Sequence, residues 1–360
     1  MNILKSKFQQ YSLKKMRQFE WFFWSLSRKI VWRTHILKQA FVISLLFPLK
    51  RTQIDVLRLI AFRDKTLITK CLLLLLLTGC STAKAQDIIE EGATLQLVSE
   101  EFKFTEGPVA DKEGNVFFTD QPNDRIVKWD ATTNTVSDWM SPSGRSNGLY
   151  FDHQGNLISC ADENNQLWKI DPNKNVTVLV DKFEGKYLGG PNDVWVDPKG
   201  GIYITDPLYK REWWGNREPE VEKRRVYYLA PGSKTLRIVE ENLVMPNGII
   251  GSKNGKKLFV ADPGDKKTYV YKINKDGSLT DRKLFCELGS DGMTLDKKGN
   301  LYLTGQGVTV FDKSGKQIEH IDVPENWTAN VTFGGPKKDL LFITAMDAVY
   351  TLQMNVKGAH

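Results

Sequence analysis

Six times along the chain a polar residue, usually followed by glycine, stands eight or nine residues ahead of the end of a tight turn that opens a strand. The copies are Glu106-Gly107 before Asp111-Lys-Glu-Gly114, Asn147-Gly148 before Asp152-His-Gln-Gly155, and Asn192-Asp193 before Asp197-Pro-Lys-Gly200. Asn247-Gly248 precedes Ser252-Lys-Asn-Gly255, Asp291-Gly292 precedes Asp296-Lys-Lys-Gly299, and a degenerate sixth copy sets Asn330 before Pro336-Lys-Lys-Asp339. Scattered surface polars would not keep that register. After each turn runs a short β-branched and aromatic stretch: Val116–Thr119, Leu157–Cys160, Ile202–Thr205, Leu258–Val260, Leu301–Thr304 and Leu340–Thr344. The turn anchors lie 41, 45, 55, 44 and 40 residues apart. A period of that size with several strands per unit predicts a propeller with one four-stranded sheet per blade. A parallel β-helix would repeat much faster, and a helical array would carry a 3.6-residue pattern. The chain is therefore read as all-β, a six-bladed β-propeller over residues 86–360. The polar and apolar alternation of Ala93–Val98 precedes the first full repeat, and the last copy runs short of strands. The N-terminal strand is expected to complete the last blade, leaving no open edge.

The repeat also predicts where the polar residues go. Each precedes an innermost strand, and the glycine turn closes that strand at the opposite face. Six equivalent positions then converge at one mouth of the central channel, with glycine allowing close backbone approach or positive φ. The second strands return to the same mouth at Asp120, Asp162, Asp206 and Asp262. The longest spacing holds Asp206-Pro-Leu-Tyr209-Lys-Arg-Glu-Trp213-Trp214-Gly215, a loop placed to act as a partial lid.

Charge divides the chain. Residues 1–70 carry 15 Lys/Arg against 3 Asp/Glu, and the remaining 290 carry 35 against 40. The overall +7 thus belongs to a basic leader, residues 1–66, while the propeller is mildly acidic, which argues against a nucleic-acid partner. Such a leader ahead of an export signal suggests a translation start assigned too far upstream. Residues 67–85 contain Lys70 followed by six leucines, too short an apolar run to span a bilayer and fitting a signal h-region. Leu77-Thr78-Gly79-Cys80 resembles a bacterial lipobox, making Cys80 the expected lipidation site; cleavage after Ala83-Lys84-Ala85 is the competing reading. Either predicts an exported protein, periplasmic or held at a membrane by a lipid anchor.

Of the four cysteines, Cys71 and Cys80 lie in the signal segment, and Cys160 and Cys286 read as buried thiols. No CxxC or His/Cys spacing suggests zinc, and no Gly-rich phosphate loop joins a strand to a helix. None of the six ring positions is a histidine. Two carboxylates and several amide oxygens suit a divalent cation, Ca²⁺ first, with Mg²⁺, Mn²⁺ or Zn²⁺ as alternatives. Without a cation Glu106 and Asp291 would repel each other. The plainer alternative is a channel lined by polar residues that only bind water.

Phe104-Thr-Glu106-Gly-Pro108, Pro191-Asn192-Asp193, Pro246-Asn247-Gly248, Ser290-Asp291-Gly292-Met293 and Asn330-Val-Thr-Phe-Gly-Gly335 resemble, in order, the motifs of the SMP-30/gluconolactonase/luciferin-regenerating-enzyme-like family. The resemblance implies a six-bladed propeller that hydrolyses a lactone or another small ester with one divalent cation at the channel mouth. It implies Glu106, Asn192, Asn247 and Asp291 as the metal site, with Asp291 also the base that positions or deprotonates water. Asn147 and the loop carrying Tyr209, Trp213 and Trp214 would touch the lactone, although the tryptophans could equally pack against a neighbouring blade. Some sugar lactonases of the family carry an arginine two residues before the Asn at position 192, where this chain has Gly190, so the sugar stays open. A histidine dyad, the base of some similar propellers, is absent from the ring. The rival functions are a non-catalytic binding propeller and a hydrolase of another ester.

Overall fold

The computed structural model describes residues 88–360, so the basic leader, the signal segment and Cys80 lie outside the described residues. Six four-stranded antiparallel sheets follow one another along the chain, each built from consecutive strands except the last. Blade 1 comprises Thr105–Ala110, Val116–Asp120, Arg125–Asp130 and Thr135–Met140. The innermost strands of blades 2 to 6 are Ser146–Phe151, Val194–Val196, Ile249–Gly251, Met293–Leu295 and Thr328–Gly334. Every polar repeat position precedes or opens one of these, and every strand expected after a glycine turn is the second of its blade.

Blade 6 takes its outermost strand from the other end of the domain. Gln96–Ser99 pairs antiparallel with Ala348–Gln353, Gln96 opposite Thr351 and Leu97 opposite Tyr350. Closure reaches further than the sequence pattern indicated, because Ile89 bridges Met354 and the Asn355 N–H donates to the Ile88 carbonyl at 2.9 Å. Ile88 is buried against blade 6. At the seam with blade 1, Phe342 stands 5.5 Å from Phe118 and 5.3 Å from Trp129, all three buried. Each such side chain contributes roughly 1.5–3 kcal/mol by leaving water.

The turns at the face away from the mouth are held by their first residue. Asp111 accepts from the Asn115 N–H at 2.9 Å, Asp152 from Asn156 at 2.8 Å and Asp296 from Asn300 at 2.9 Å. An aspartate there mimics a backbone turn, which explains the recurring Asp-x-x-Gly. The aspartates ending the second strands do similar work at the mouth. Asp120 accepts from the Lys103 N–H, Asp206 from Gly189 and Asp262 from Val244 and Met245, so each clamps the segment leading into its own blade. Cys160 and Cys286 are free, buried thiols.

Candidate active site at the channel mouth

The inner strands meet so closely at the mouth that side chains are excluded from most of the junctions. A Cβ on Gly107 would fall 2.1 Å from the Asn147 carbonyl oxygen, on Gly148 2.6 Å from that of Asn192, and on Gly248 2.7 Å from that of Asp291. A Cβ on Gly292 would meet the Asn330 amide at 2.0 Å. Close approach is thus the main reason for the glycines; positive φ adds to it only at Gly107, at +48°. The Ile249 N–H donates to Asp193 Oδ2 at 3.3 Å, and Asn330 Nδ2 donates to Glu106 Oε2 at 3.2 Å. Those two bonds link blade 3 to blade 4 and blade 6 back to blade 1. The ring is closed.

Glu106, Asn147, Asn192 and Asn247 are buried in it, and Asp291 is partly exposed. Glu106 Oε2 also accepts from the Gly107 N–H at 2.8 Å. Desolvation first, and then the charge of Asp291, push the Glu106 carboxyl well above its ordinary range. Asp291 is raised too, by desolvation, against the hydrogen bonds of Trp327 and Asn247. Its Oδ1 accepts from Asn247 Nδ2 at 2.7 Å and its Oδ2 from Trp327 Nε1 at 2.6 Å. With its nitrogen committed to Asp291, Asn247 has Oδ1 left over. That oxygen and Asn147 Oδ1 are buried with no hydrogen-bond partner among the described residues.

The 206–217 loop crosses from blade 3 to blade 2. Arg211 Nε donates to Asp162 Oδ2 at 2.7 Å, Trp214 Nε1 to the Asp162 carbonyl at 3.1 Å, and Arg217 to the Glu163 carbonyl at 3.0 Å. Tyr209 accepts at its hydroxyl from Asn247 Nδ2 at 3.3 Å, so it alone of the three aromatic lid residues reaches the ring by a hydrogen bond. Trp213 lies between the lid and blade 2 within cation–π distance of Arg145 and Arg211, at 5.0 and 5.6 Å. Trp214 is buried beneath Arg217, the packing role rather than substrate contact. Gly190 sits at φ +103°, where a Cβ would come 3.1 Å from Asp162 Oδ1 and 3.3 Å from Trp214, so any side chain there is strained.

Below the mouth the channel opens into a cavity of about 330 Å³ lined by Leu149, Trp195, Ile249, Met293 and Phe333. At its top, Asp193 takes the place glycine holds in other blades, and burial pushes its carboxyl up to about 7. At its base, His360 contacts the Gly251 carbonyl at 2.9 Å, and burial pushes its imidazole down to about 4.

Residues 104–347 match the SMP-30/gluconolactonase/LRE-like region. The chain belongs to that family. Among its relatives is the gluconolactonase of Zymomonas mobilis, 28% identical over 302 residues that cover 75% of this chain and 84% of the relative. A solved putative gluconolactonase superposes with a TM-score of 0.71 at 31% identity, covering 76% of this chain and 96% of its own. The gluconolactonase of Xanthomonas campestris superposes with a TM-score of 0.69 at 27% identity, covering 76% and 92%.

For a member of the SMP-30/gluconolactonase/LRE-like family, the donor set at this mouth fits a hard cation. It offers two carboxylates whose shared charge is unfavourable alone and amide oxygens that are buried and unpaired. Among the described residues no group of three or more His, Cys, Asp or Glu side chains is placed to hold a metal ion, so the donor set here is two acids and amide oxygens. The repeat located Glu106, Asn147, Asn192, Asn247 and Asp291 because they share one register. Asn330 belongs to the same register and supports Glu106. Trp327 and Arg211 lie in loops outside the repeat, where nothing periodic marks them.

Proposed function

We propose that the protein is a lactonase, a carboxylic ester hydrolase opening a sugar lactone such as gluconolactone, and that it depends on one divalent cation. Glu106, Asn192, Asn247 and Asp291 would hold the cation, with Ca²⁺ the best match to an all-oxygen set. The observation that carries the proposal is the pairing of Glu106 and Asp291, two desolvated acids, beside the unpaired oxygens of Asn147 and Asn247. A channel that only ordered water would have no need of that charge, and a binding face would gain little from it.

When bound, the cation supplies Lewis-acid polarisation of the ester carbonyl. Asp291, held by Asn247 and Trp327, accepts the proton of the attacking water. The water oxygen bonds to the carbonyl carbon, the ring C–O bond breaks, and the leaving alkoxide regains a proton to give the hydroxy acid. Asn147, with its free Oδ1, and Tyr209 stand where substrate hydroxyls would be read.

The test is hydrolysis of glucono-1,5-lactone and a simple γ-lactone by protein stripped with chelator and re-supplied with Ca²⁺, spontaneous opening subtracted. Turnover restored by the cation and reduced roughly 10²–10⁴-fold in Asp291→Ala is expected. A folded protein inert with every divalent ion on both lactones would instead be a binding propeller or a hydrolase of another ester.

A further inference from the structure

We propose that Trp327 is the positioning residue for Asp291 and that its exposed ring face is the wall against which the lactone ring lies. This role presupposes the lactonase proposed above. Trp327 ends the loop that leads into Thr328–Gly334, the inner strand of blade 6, while Asp291 belongs to blade 5. The bond from Nε1 to Asp291 Oδ2, at 2.6 Å, is short and charge-assisted. With Asn247 on Oδ1 at 2.7 Å, both carboxylate oxygens are gripped and the plane of the carboxylate is fixed.

The remainder of the side chain is not packed away. Trp327 is 39% exposed, although tryptophan is among the most costly residues to leave in water. Most other large exposed apolar side chains, among them Leu97, Val178, Ile238, Leu284 and Ile318, lie on the outermost strands of their blades, far from the axis. Because the indole N–H is already committed to Asp291, what the ring offers to solvent is carbon. At the far edge of the indole stands Gly305, where even a Cβ would come no nearer than 3.9 Å to the ring. Across Asp291 from Trp327 lies Asn247, with the Tyr209 hydroxyl on its amide. The carboxylate is thus tied directly to Trp327 of blade 6 and, through the Asn247 amide, to the Tyr209 hydroxyl of the lid. The ligand that suits an exposed indole face beside a hydrogen-bonded carboxylate is a compact ring with a C–H face and polar edges, the shape of a saturated sugar lactone.

Two variants separate the two parts of the role. Trp327→Phe keeps a ring and removes the donor; Trp327→Gln keeps an N–H of similar reach and removes the ring. Ca²⁺ alone is titrated calorimetrically into the chelator-treated proteins, and KM for glucono-1,5-lactone is measured at saturating Ca²⁺. Partners of ligating carboxylates usually govern metal affinity by 10–100-fold. Trp327→Phe is therefore expected to bind Ca²⁺ roughly 10–100-fold more weakly with KM little changed, and Trp327→Gln to bind Ca²⁺ nearly as the wild type does with KM raised. Unaltered Ca²⁺ affinity in Trp327→Phe would overturn the positioning role, and unaltered KM in Trp327→Gln the wall. A wild-type protein that takes up no divalent cation overturns the positioning role as well. If the wild type binds Ca²⁺ yet opens no lactone, the lactonase assignment and the wall fall together, and the calorimetric comparison still decides the hold on Asp291.

Discussion

Asp206 shows how one buried carboxyl can serve the fold at a cost set by pH. It accepts from the Gly189 N–H at 2.9 Å, but its Oδ1 has no partner among the described residues. Burial, with the charge of Asp162 added, pushes it up from 3.8 to about 7. A carboxyl raised in the fold binds its proton more tightly there than in the unfolded chain. Its contribution is therefore fully present below pH 4 and is lost as pH rises towards 7. His360, pushed down to about 4 by burial, has the opposite sign: it costs stability as pH falls below about 6.5. Comparing Asp206→Asn with the wild type cancels the histidine. The variant should gain on the wild type between pH 4.5 and pH 8 by up to about 3 kcal/mol, read from urea midpoints. A difference independent of pH would show that Asp206 does not titrate in this window. At this scale the sequence located the ring residues in one register and left the bonds of their neighbours open. The pattern locates Asp120, Asp206 and Asp262 at the mouth, and their carboxylates accept from backbone N–H groups, which no periodicity shows. Periodicity tells where a side chain starts, and only packing decides where it points. Trp214, which the sequence left open between substrate contact and packing, is buried and donates to the Asp162 carbonyl.

Among the elements, the closing strand matters most to the ring. The alternation in Ala93–Val98 foretold its existence and its partner, but its pairing runs over Gln96–Ser99, with a register shift between Leu97 and Ser99. An irregularity of that kind leaves no mark in the residue pattern. The bridge from Ile89 to Met354 was invisible for the same reason: one isolated contact has no period. Deleting the chain through Ser99 would remove Ile88, with the partly buried Ile89, Ala93 and Leu95, from the blade 6 core and leave Ala348–Gln353 as an open edge. The loss is several kcal/mol at roughly 1.5–3 kcal/mol per fully buried side chain. A fall in Tm on the order of 10 °C is expected, with light scattering that rises with concentration. A shortened protein that stays monomeric with unchanged Tm would mean that blade 6 stands with three strands.

For the molecule as a whole, the candidate metal site is also a tie between blades. Glu106 comes from blade 1, Asn192 from the segment opening blade 3, Asn247 from that of blade 4 and Asp291 from that of blade 5, residues separated by as much as 185 positions in sequence. No unfolded chain holds these four together, so a cation bound by them binds the folded state alone. Such a ligand stabilises by RT ln(1 + [L]/Kd), about 2.7 kcal/mol at a hundredfold excess over Kd. The gain should exceed a mere tether in one respect. Desolvation and Asp291 hold the Glu106 carboxyl well above its ordinary range, so protons compete with a divalent ion for this acid more strongly than for a free one. Cation affinity should therefore weaken as pH falls, and Tm should rise by several degrees on adding Ca²⁺ at pH 8 and by less at pH 5. Glu106→Gln removes one charge and leaves the Asn330 side of the ring in place. It should raise the metal-free Tm, because a buried acid is gone, and should blunt the response to Ca²⁺. Scanning calorimetry of both proteins at the two pH values, with chelator and with Ca²⁺, reads all of this at once. A Tm unmoved by Ca²⁺, Mg²⁺, Mn²⁺ or Zn²⁺ in the wild type would mean that the two acids meet at the mouth for some purpose other than holding a cation.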